Sequence, residues 1–303
     1  MQAPANPFAA SPHELRKEAA ARRARRATLA LAVLLALPVG LILLVITLRA
    51  LPLLSWDLLW ANPADKGKAG GLWAPLMGTF YLVVVSVLIV SPVGVAAAIY
   101  LREYAAESRL NRMIGLAVTS LAGVPSIVHA LFGLGAFVLF ARMGIGLRAA
   151  ACTIAVMNLP VVISASREAL GSVPNAFREA CWNLGASRWQ TIRTVVLPNS
   201  FSGILTGVIL SVSRAAGETA PIMFTGAVFF RKISDGMPQR LAPYGLDDPF
   251  MAMAMHLHVI STQVSNMPPE RPFACAFVLV ALVLLVNSAA IALRIRLRNH
   301  RKW

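Results

Sequence analysis

Six long apolar runs divide this chain of 303 residues, and most of them contain no charged residue. A helix needs about 20 apolar residues to cross a hydrocarbon layer of roughly 30 Å, and lipid offers the backbone no hydrogen bonds, so such runs are expected to be helices. The runs lie at residues 27–48, 69–101, 113–141, 149–166, about 199–230 and 272–293. We therefore predict an all-α, polytopic membrane protein with six transmembrane helices.

The distribution of basic residues predicts the orientation, because positive charge is retained on the cytoplasmic side of a membrane. The stretch before residue 27 and the segments 102–112, 167–198 and after residue 293 carry 18 of the 28 Lys and Arg residues, against 9 in the segments on the other side. With an even number of spans, both termini are expected in the cytoplasm. Orientation thus accounts for the formal net charge of +15, and we expect contact with membrane lipid and no nucleic-acid binding.

The two ends of the chain are polar. Residues 1–26 form a basic leader that we expect to be poorly ordered, and residues 296–303 form a basic cytoplasmic tail. Residues 27–71 then hold the first span with an outer loop, and residues 72–295 hold the other five helices. A cleavable signal peptide is the alternative for the N-terminal part, but the apolar run of about 22 residues exceeds the 7–15 of such peptides.

The longest outer segment, residues 231–271, is predicted to contain a short helix. The acids and proline at 247–249 have the composition of a helix start, and the apolar stretch from Phe250 to Ile260 is too short to span a membrane. His256 and His258 lie on it two positions apart, so they are expected on different faces and not in one metal site.

The cytoplasmic segment 167–198 is longer than a connection between two spans needs. Pro174 fits a first helical turn, Gly185 fits a C-terminal cap, and Phe177, Cys181 and Leu184 recur at helical spacing. These residues predict an amphipathic helix lying across the cytoplasmic face.

A second helical stretch is expected to follow from Trp189 and to be broken by Pro198, where the next span begins. Arg178 and Glu179 lie away from the apolar stripe. An element at 174–189 that is joined to spans on both sides can transmit force from a soluble partner into the membrane.

Part of this segment resembles the EAA loop of binding-protein-dependent ABC importer permeases. The matching pattern is Glu179-Ala180-Cys181, three residues, Gly185, nine residues, then Val195-x-Leu197-Pro198. Cys181 and Val195 depart mildly from the usual Ala and Ile. The resemblance implies docking into a groove of an ATP-hydrolysing subunit, and it assigns this coupling role to Glu179, Ala180, Cys181, Gly185, Leu197 and Pro198.

Over roughly residues 72–295 the chain also resembles the phosphate permeases of the PstA family. The stretch 214–221 reads Arg-Ala-Ala-Gly-Glu-Thr-Ala-Pro, and residues 123–128, 131–133 and 158–160 match as well. The sister family PstC shares a Gly-Glu-Thr run, but the Ala-Pro that follows it here favours PstA. The resemblance implies a type I ABC importer permease fold in the cell inner membrane, forming half of a phosphate channel.

The same resemblance implies partners and a pathway. The partners would be a PstC-like second permease, two copies of the ATP-binding subunit PstB and a periplasmic phosphate-binding protein, PstS. The chain itself would hold no cofactor and no metal. Arg214, Glu218 and Thr219 would lie on the path of the phosphate ion.

Arg214 and Glu218 are the only charged residues of the fifth run. A charge in mid-membrane costs roughly 2.5–3.5 kcal/mol on insertion scales, so it marks a pathway or an ion pair. Four positions apart on a helix, the two residues can neutralise each other. The guanidinium fork of an arginine also suits phosphate oxygens, so both interpretations stay open.

Other classes of protein fit the residues less well. A permease for sulfate, molybdate or phosphonate would have a similar EAA loop but would lack the Gly-Glu-Thr-Ala-Pro run. A membrane-embedded enzyme needs clustered ionisable groups, and the one further candidate, His129, is expected to be a packed residue. The chain has no Gly-x-x-x-x-Gly-Lys-Ser/Thr loop, so a separate subunit must hydrolyse ATP.

A plain channel would leave the long cytoplasmic segment unexplained. The cysteines do not point to further chemistry either. Cys152, Cys181 and Cys275 are widely spaced, which argues against a disulfide framework or a metal site, and we expect small, buried apolar residues at these positions.

Overall fold

The computed structural model describes residues 12–105, 108–233 and 242–299, and most of these residues are helical. The longer helices are α1 (Pro12–Ala50), α3 (Trp73–Ile99), α4 (Arg109–Ala122), α6 (Leu147–Gly171), α9 (Leu197–Gly217) and α12 (Glu270–Asn299). The shorter ones are α2 (Trp56–Trp60), α5 (Ser126–Gly133), α7 (Asn175–Asn183), α8 (Arg188–Thr191), α10 (Ala220–Thr225) and α11 (Met253–Thr262).

Turns and a hairpin complete the description. Wide π turns occur at Tyr100–Tyr104, Leu134–Phe140 and Ile192–Val196, and narrow 3-10 turns at Leu51–Leu53 and Asp65–Gly67. The glycine-rich outer loop forms a small antiparallel hairpin of β1 (Pro63–Ala64) and β2 (Ala69–Gly70).

Five helical stretches of the described chain are long and apolar enough to cross a membrane. They are Ala20–Leu53, Trp73–Tyr104, Leu147–Gly171, Arg188–Gly217 and Glu270–Arg296. The remaining predicted span, 113–141, is two helices that meet at 103°, and six spans result if this bent pair counts as one. Pro125 stands at the bend, where its ring disfavours helical backbone in the residue before it.

The leader differs from its prediction. α1 begins at Pro12, so the described part of the leader is helical and continuous with the first span. Alanine, arginine, lysine, glutamate and leucine, which dominate residues 12–26, are strong helix formers, so a helix that has already started in the span extends easily through them. Residues 1–11 of the leader and 300–303 of the tail lie outside the described residues.

Helices α3, α6 and α9 pack closely against one another through small residues. A Cβ atom on Gly207 would lie 2.5 Å from the Cβ of Ala165, and one on Gly203 would lie 2.6 Å from that of Ala169. Gly203 and Gly207 therefore allow α9 to approach α6 closely. Pro198 was predicted to break the helical stretch before the fifth span, and this prediction is wrong: the stretch continues from Arg188 to Gly217.

The helical stretch continues through Pro198 because of the position of this residue in α9. The π turn Ile192–Val196 comes directly before it, and Pro198 occupies the first turn of α9, where a helix does not need the missing N–H. The other end of the span is shorter than predicted. α9 ends at Gly217, and a separate short helix, α10, follows before residue 230.

The described part of the segment 231–271 folds back onto the long helices. α11 begins at Met253, later than predicted, because Phe250 forms a bridge with Ala227 and the backbone of Ala252 is extended. The Thr79 hydroxyl accepts a hydrogen bond from the backbone N–H of Met253 at 2.9 Å. His256 is buried and His258 exposed, which confirms that the two histidines point to different faces.

Candidate functional site

The end of α9 brings together the three predicted pathway residues. Arg214 lies in the last turn of the helix, and Glu218 follows it directly with an extended backbone (φ −77°, ψ 131°). The Nε atom of Arg214 lies 3.2 Å from Oε1 of Glu218. The two charges therefore pair, although the helix has already ended between them.

The Arg214 pair leaves part of the guanidinium available. About a third of the side chain is accessible in the single subunit (34%), and Glu218 is more buried (19%). Among the described residues, only Nε of this guanidinium has a hydrogen-bond partner. The two Nη groups are therefore free to form a fork toward an oxyanion. Thr219 occupies the N-cap position of α10, but its side chain makes no capping hydrogen bond.

Two hydrogen bonds that were not predicted join α9, the helix that ends at this site, to neighbouring helices. Nδ2 of Asn158 on α6 donates to the backbone oxygen of Ser211 on α9 at 3.4 Å, and the Ser213 hydroxyl pairs with Asn287 on α12. His129 is buried, with Nδ1 3.4 Å from the backbone oxygen of Pro125, which confirms that it is a packed residue. Single polar residues within apolar runs were the signal that could have identified this inter-helix network.

The second candidate site is an exposed surface on the segment 167–198. Leu184 is 88% exposed and Phe177 is 51% exposed, so two of the three residues of the predicted apolar stripe are largely accessible. Glu179 lies on the same helix and is exposed as well. We call this area the coupling surface; its exposed members are Phe177, Glu179, Ala180, Trp182, Leu184 and Trp189.

Local hydrogen bonds fix the shape of the coupling surface. Gly185 has φ +81°, a left-handed conformation that glycine adopts without strain, and this confirms the predicted cap of α7. The backbone N–H of Ala186 closes the turn on the oxygen of Cys181 at 3.0 Å. Ser187 and Gln190 then form a reciprocal capping box that starts α8.

Not all residues assigned to coupling lie on this surface. Cys181, the third residue of the apolar stripe, is half-buried. Leu197 and Pro198 stand at the start of α9, and Leu197 packs against a buried cluster that includes Ala98, Ala169 and Val196. The structure therefore separates the first part of the EAA pattern, which is exposed, from its last part, which packs against other helices.

Arg178 was predicted to lie away from the apolar stripe, and the structure shows that it points inward. Its guanidinium forms a buried ion pair with Glu103, with Nη2 2.7 Å from Oε1. Sequence reasoning missed this pair because 75 residues separate its members. The described residues contain no group of three or more His, Cys, Asp or Glu side chains that could hold a metal ion.

Comparison with solved structures identifies the fold. A bacterial ABC transporter involved in the import of the acidic polysaccharide alginate superposes with a TM-score of 0.60 at 13% identity, covering 91% of this chain and 98% of that one. The MetNI methionine ABC transporter in an inward-facing conformation gives a TM-score of 0.57 at 15% identity, covering 75% and 97%. At these identities the likeness concerns the fold alone, and it confirms the predicted ABC importer permease architecture.

Sequence comparison gives the family. A probable ABC transporter permease protein, YqgI of Bacillus subtilis, is 31% identical over 264 residues, which cover 86% of this chain and 89% of the relative. The phosphate transport system permease protein PstA of Pasteurella multocida is 30% identical over 246 residues, covering 81% and 84%. PstA 1 of Mycobacterium tuberculosis is 32% identical over 239 residues, covering 77% and 73%.

The family profile described as "Binding-protein-dependent transport system inner membrane component" matches residues 91–299, which include the bent pair, the coupling surface and the Arg214 site. This match spans more than half of the chain, and the permease relatives above agree with it. The chain therefore belongs to the family of binding-protein-dependent transport system inner membrane components, and it is a membrane subunit of a transport system rather than an enzyme.

Proposed function

We propose that this chain is a PstA-type permease subunit that forms half of the membrane channel of an ATP-driven phosphate importer. The observation that carries the proposal is the Arg214 site, where a partly accessible guanidinium with two unused Nη groups stands at a helix break. A phosphate ion carries negative charge and several oxygens, which a planar guanidinium binds with two parallel hydrogen bonds. Relatives named as phosphate permeases support this choice of ion.

The Glu218 carboxylate limits how tightly the site holds an anion. It neutralises Arg214 when no ion is present, and the single contact at 3.2 Å can be exchanged for a contact with phosphate. A conduit has to release its ion as well as admit it, so an arginine with a competing internal partner suits transport better than permanent binding.

The proposed complex contains four further subunits. A PstC-like permease would supply the other half of the channel, two PstB-type subunits would hydrolyse ATP, and a PstS-type protein would deliver phosphate from the outer side. The exposed apolar and acidic side chains of the coupling surface are suited to docking on the ATPase. This arrangement places both termini in the cytoplasm, as the excess of basic residues in the corresponding segments favours.

Uptake of radiolabelled phosphate at micromolar concentration tests the proposal. The assay compares cells that lack this chain, and any second phosphate importer, with the same cells restored by the wild-type gene. Uptake is expected to be absent without the chain and to return with it. If uptake of phosphate is unchanged while that of sulfate or molybdate is lost, the chain carries another oxyanion.

A further inference from the structure

A buried ion pair connects the coupling surface to the membrane helices. Arg178 and Glu103 face each other in two parallel contacts, Nη2 to Oε1 at 2.7 Å and Nε to Oε2 at 3.1 Å. Their side chains are only 6% and 9% exposed. Two-pronged contacts of this kind fix the relative orientation of the two groups as well as their distance.

The rest of the guanidinium is also occupied. Nη2 of Arg178 donates to the backbone oxygen of Leu170 at 2.9 Å, and Nη1 donates to that of Val173 at 2.7 Å. Nη1 additionally reaches Oδ1 of Asn175 at 3.3 Å. Every nitrogen of the side chain therefore has a partner, which is the condition under which a buried charge is tolerated.

Arg178 and two of its partners, Glu103 and Leu170, belong to three different elements. Glu103 lies in the π turn that ends the α3 span, Leu170 lies in the last turn of α6, and Arg178 lies in the middle of α7. Helices α3 and α6 both contribute residues to three of the buried apolar clusters of the described chain. One side chain of α7 thus joins the two central helices at their cytoplasmic ends.

Arg178 is the one buried residue of α7, all of whose residues are described. Its neighbour Glu179 is exposed on the coupling surface, because consecutive residues of a helix point in directions about 100° apart. A cavity of about 160 Å³ adjoins the pair and is lined in part by Trp182 and Arg188. With this space beneath it, α7 has little apolar packing to hold it in place.

We propose that Arg178 is a positioning residue that links the coupling surface to α3 and α6, so that a displacement of α7 by the ATPase moves these two helices. This inference rests on the proposed function, in which the coupling surface meets an ATP-hydrolysing partner. A buried ion pair of this kind is not needed for stability alone, because apolar replacements of similar volume often stabilise a protein equally well. The pair supplies a connection of fixed orientation between α7 and the ends of two spans, and we call this connection the joint.

The test compares variants in the complete transporter, reconstituted in proteoliposomes with its binding protein. The main variant, Arg178→Gln with Glu103→Gln, removes both charges at once and leaves no unpaired buried charge that would prevent folding. Arg178→Lys keeps the charge and loses the fork. Arg193→Gln, at an exposed arginine of the same cytoplasmic segment, is the matched control.

The first readout is the number of phosphate ions taken up per ATP hydrolysed. In the double variant we expect ATP hydrolysis to continue while this ratio falls by about tenfold, a change in the range of typical coupling free energies between distant sites. Arg178→Lys should be intermediate, and the control should match the wild type. A role that is only structural would lower transport and hydrolysis together, so an unchanged ratio in the double variant would overturn the proposal.

The second readout does not depend on the identity of the solute. A Gly217→Cys reporter is placed beside Glu218, where an added Cβ meets no heavy atom within 4 Å, with the three native cysteines replaced by alanine. Its rate of modification by a membrane-impermeant maleimide should change on addition of ATP, and the double variant should abolish this change. If the reporter responds but phosphate is not carried, the phosphate assignment fails and the joint stands. If the double variant responds like the wild type, the joint is wrong.

Discussion

At the scale of single residues, the charges inside the apolar runs determine what the chain can do. Arg214 and Glu218 were expected either to pair with each other or to lie on a pathway, and the structure shows that they pair through a single contact. That contact uses one of the three nitrogens of the guanidinium. The two interpretations are therefore compatible, because the arginine is paired and its two Nη groups remain available as donors to an anion.

Replacing Arg214 by Gln removes the positive charge and the two-pronged donor. Charge-assisted hydrogen bonds contribute about 1.5–3 kcal/mol each, so we expect phosphate uptake to fall by at least about tenfold. Arg214→Lys should retain part of the activity, because it keeps the charge without the fork. Uptake is measured in membranes that contain equal amounts of assembled transporter.

The control for this experiment is Arg148→Gln. Arg148 also forms an ion pair, with Asp247 at 2.6 Å, but both side chains are well exposed, and exposed ion pairs contribute little. If the Arg214→Gln transporter takes up phosphate at the wild-type rate, Arg214 has no part in the mechanism.

The buried side chain of His256 is expected to make the stability of the fold depend on pH. Burial lowers its pKa to about 4, and its ring stacks on Phe229 at 5.4 Å. The unfolded chain, with a pKa of about 6.5 at this residue, binds the proton more readily, so stability is lost as the pH falls from about 6.5 to about 4. The full effect is on the order of 3 kcal/mol.

Thermal unfolding of the detergent-solubilised chain between pH 7.5 and pH 4.5 measures this effect. His256→Gln should flatten the decrease in Tm, whereas His258→Gln, at the exposed histidine two positions away, should keep it. Equal curves for the wild type and His256→Gln would show that another group causes the acid sensitivity.

At the scale of elements, apolar periodicity and helix signals predicted the spans, the cap at Gly185 and the short outer helix. They did not predict the end of α9 at Gly217 or the 103° bend between α4 and α5. Hydropathy reports only whether a residue prefers lipid or protein over water, and α10, although it is short and apolar, packs inside the protein. The direction of Arg178 could not be predicted either, because its partner Glu103 is remote in sequence.

Glu179 gives the prediction for the coupling surface. Charge reversal by Glu179→Lys should release the ATPase from the complex or abolish the stimulation of ATP hydrolysis, because a like-charge contact at an interface costs several kcal/mol. Co-purification of the ATPase with the tagged permease measures docking. Glu168→Lys, at an exposed residue in the last helical turns of α6, makes the same change of charge and should leave docking intact. Normal docking and activity in the Glu179→Lys complex would contradict the assignment of this surface.

At the scale of the whole molecule, the spans are buried to very different extents, as expected for one subunit of a larger complex. In the most apolar part of α6, 67% of the residues are buried within this chain, against 0% in the first span and 6% in the last. The first and last spans therefore expose their apolar sides to lipid or to a second subunit. Composition alone predicted the membrane location, but the central position of α6 depends on packing between remote segments and could not be predicted.

The most direct test of the central claim is solute uptake by the purified complex in proteoliposomes that contain ATP. Labelled phosphate, sulfate and molybdate are offered separately, each at micromolar concentration and together with the binding protein. We predict ATP-dependent accumulation of phosphate and no accumulation of sulfate or molybdate. Accumulation of sulfate or molybdate without phosphate would contradict the assignment of the substrate, and phosphate uptake that needs no ATP would contradict the assignment to an ATP-driven importer.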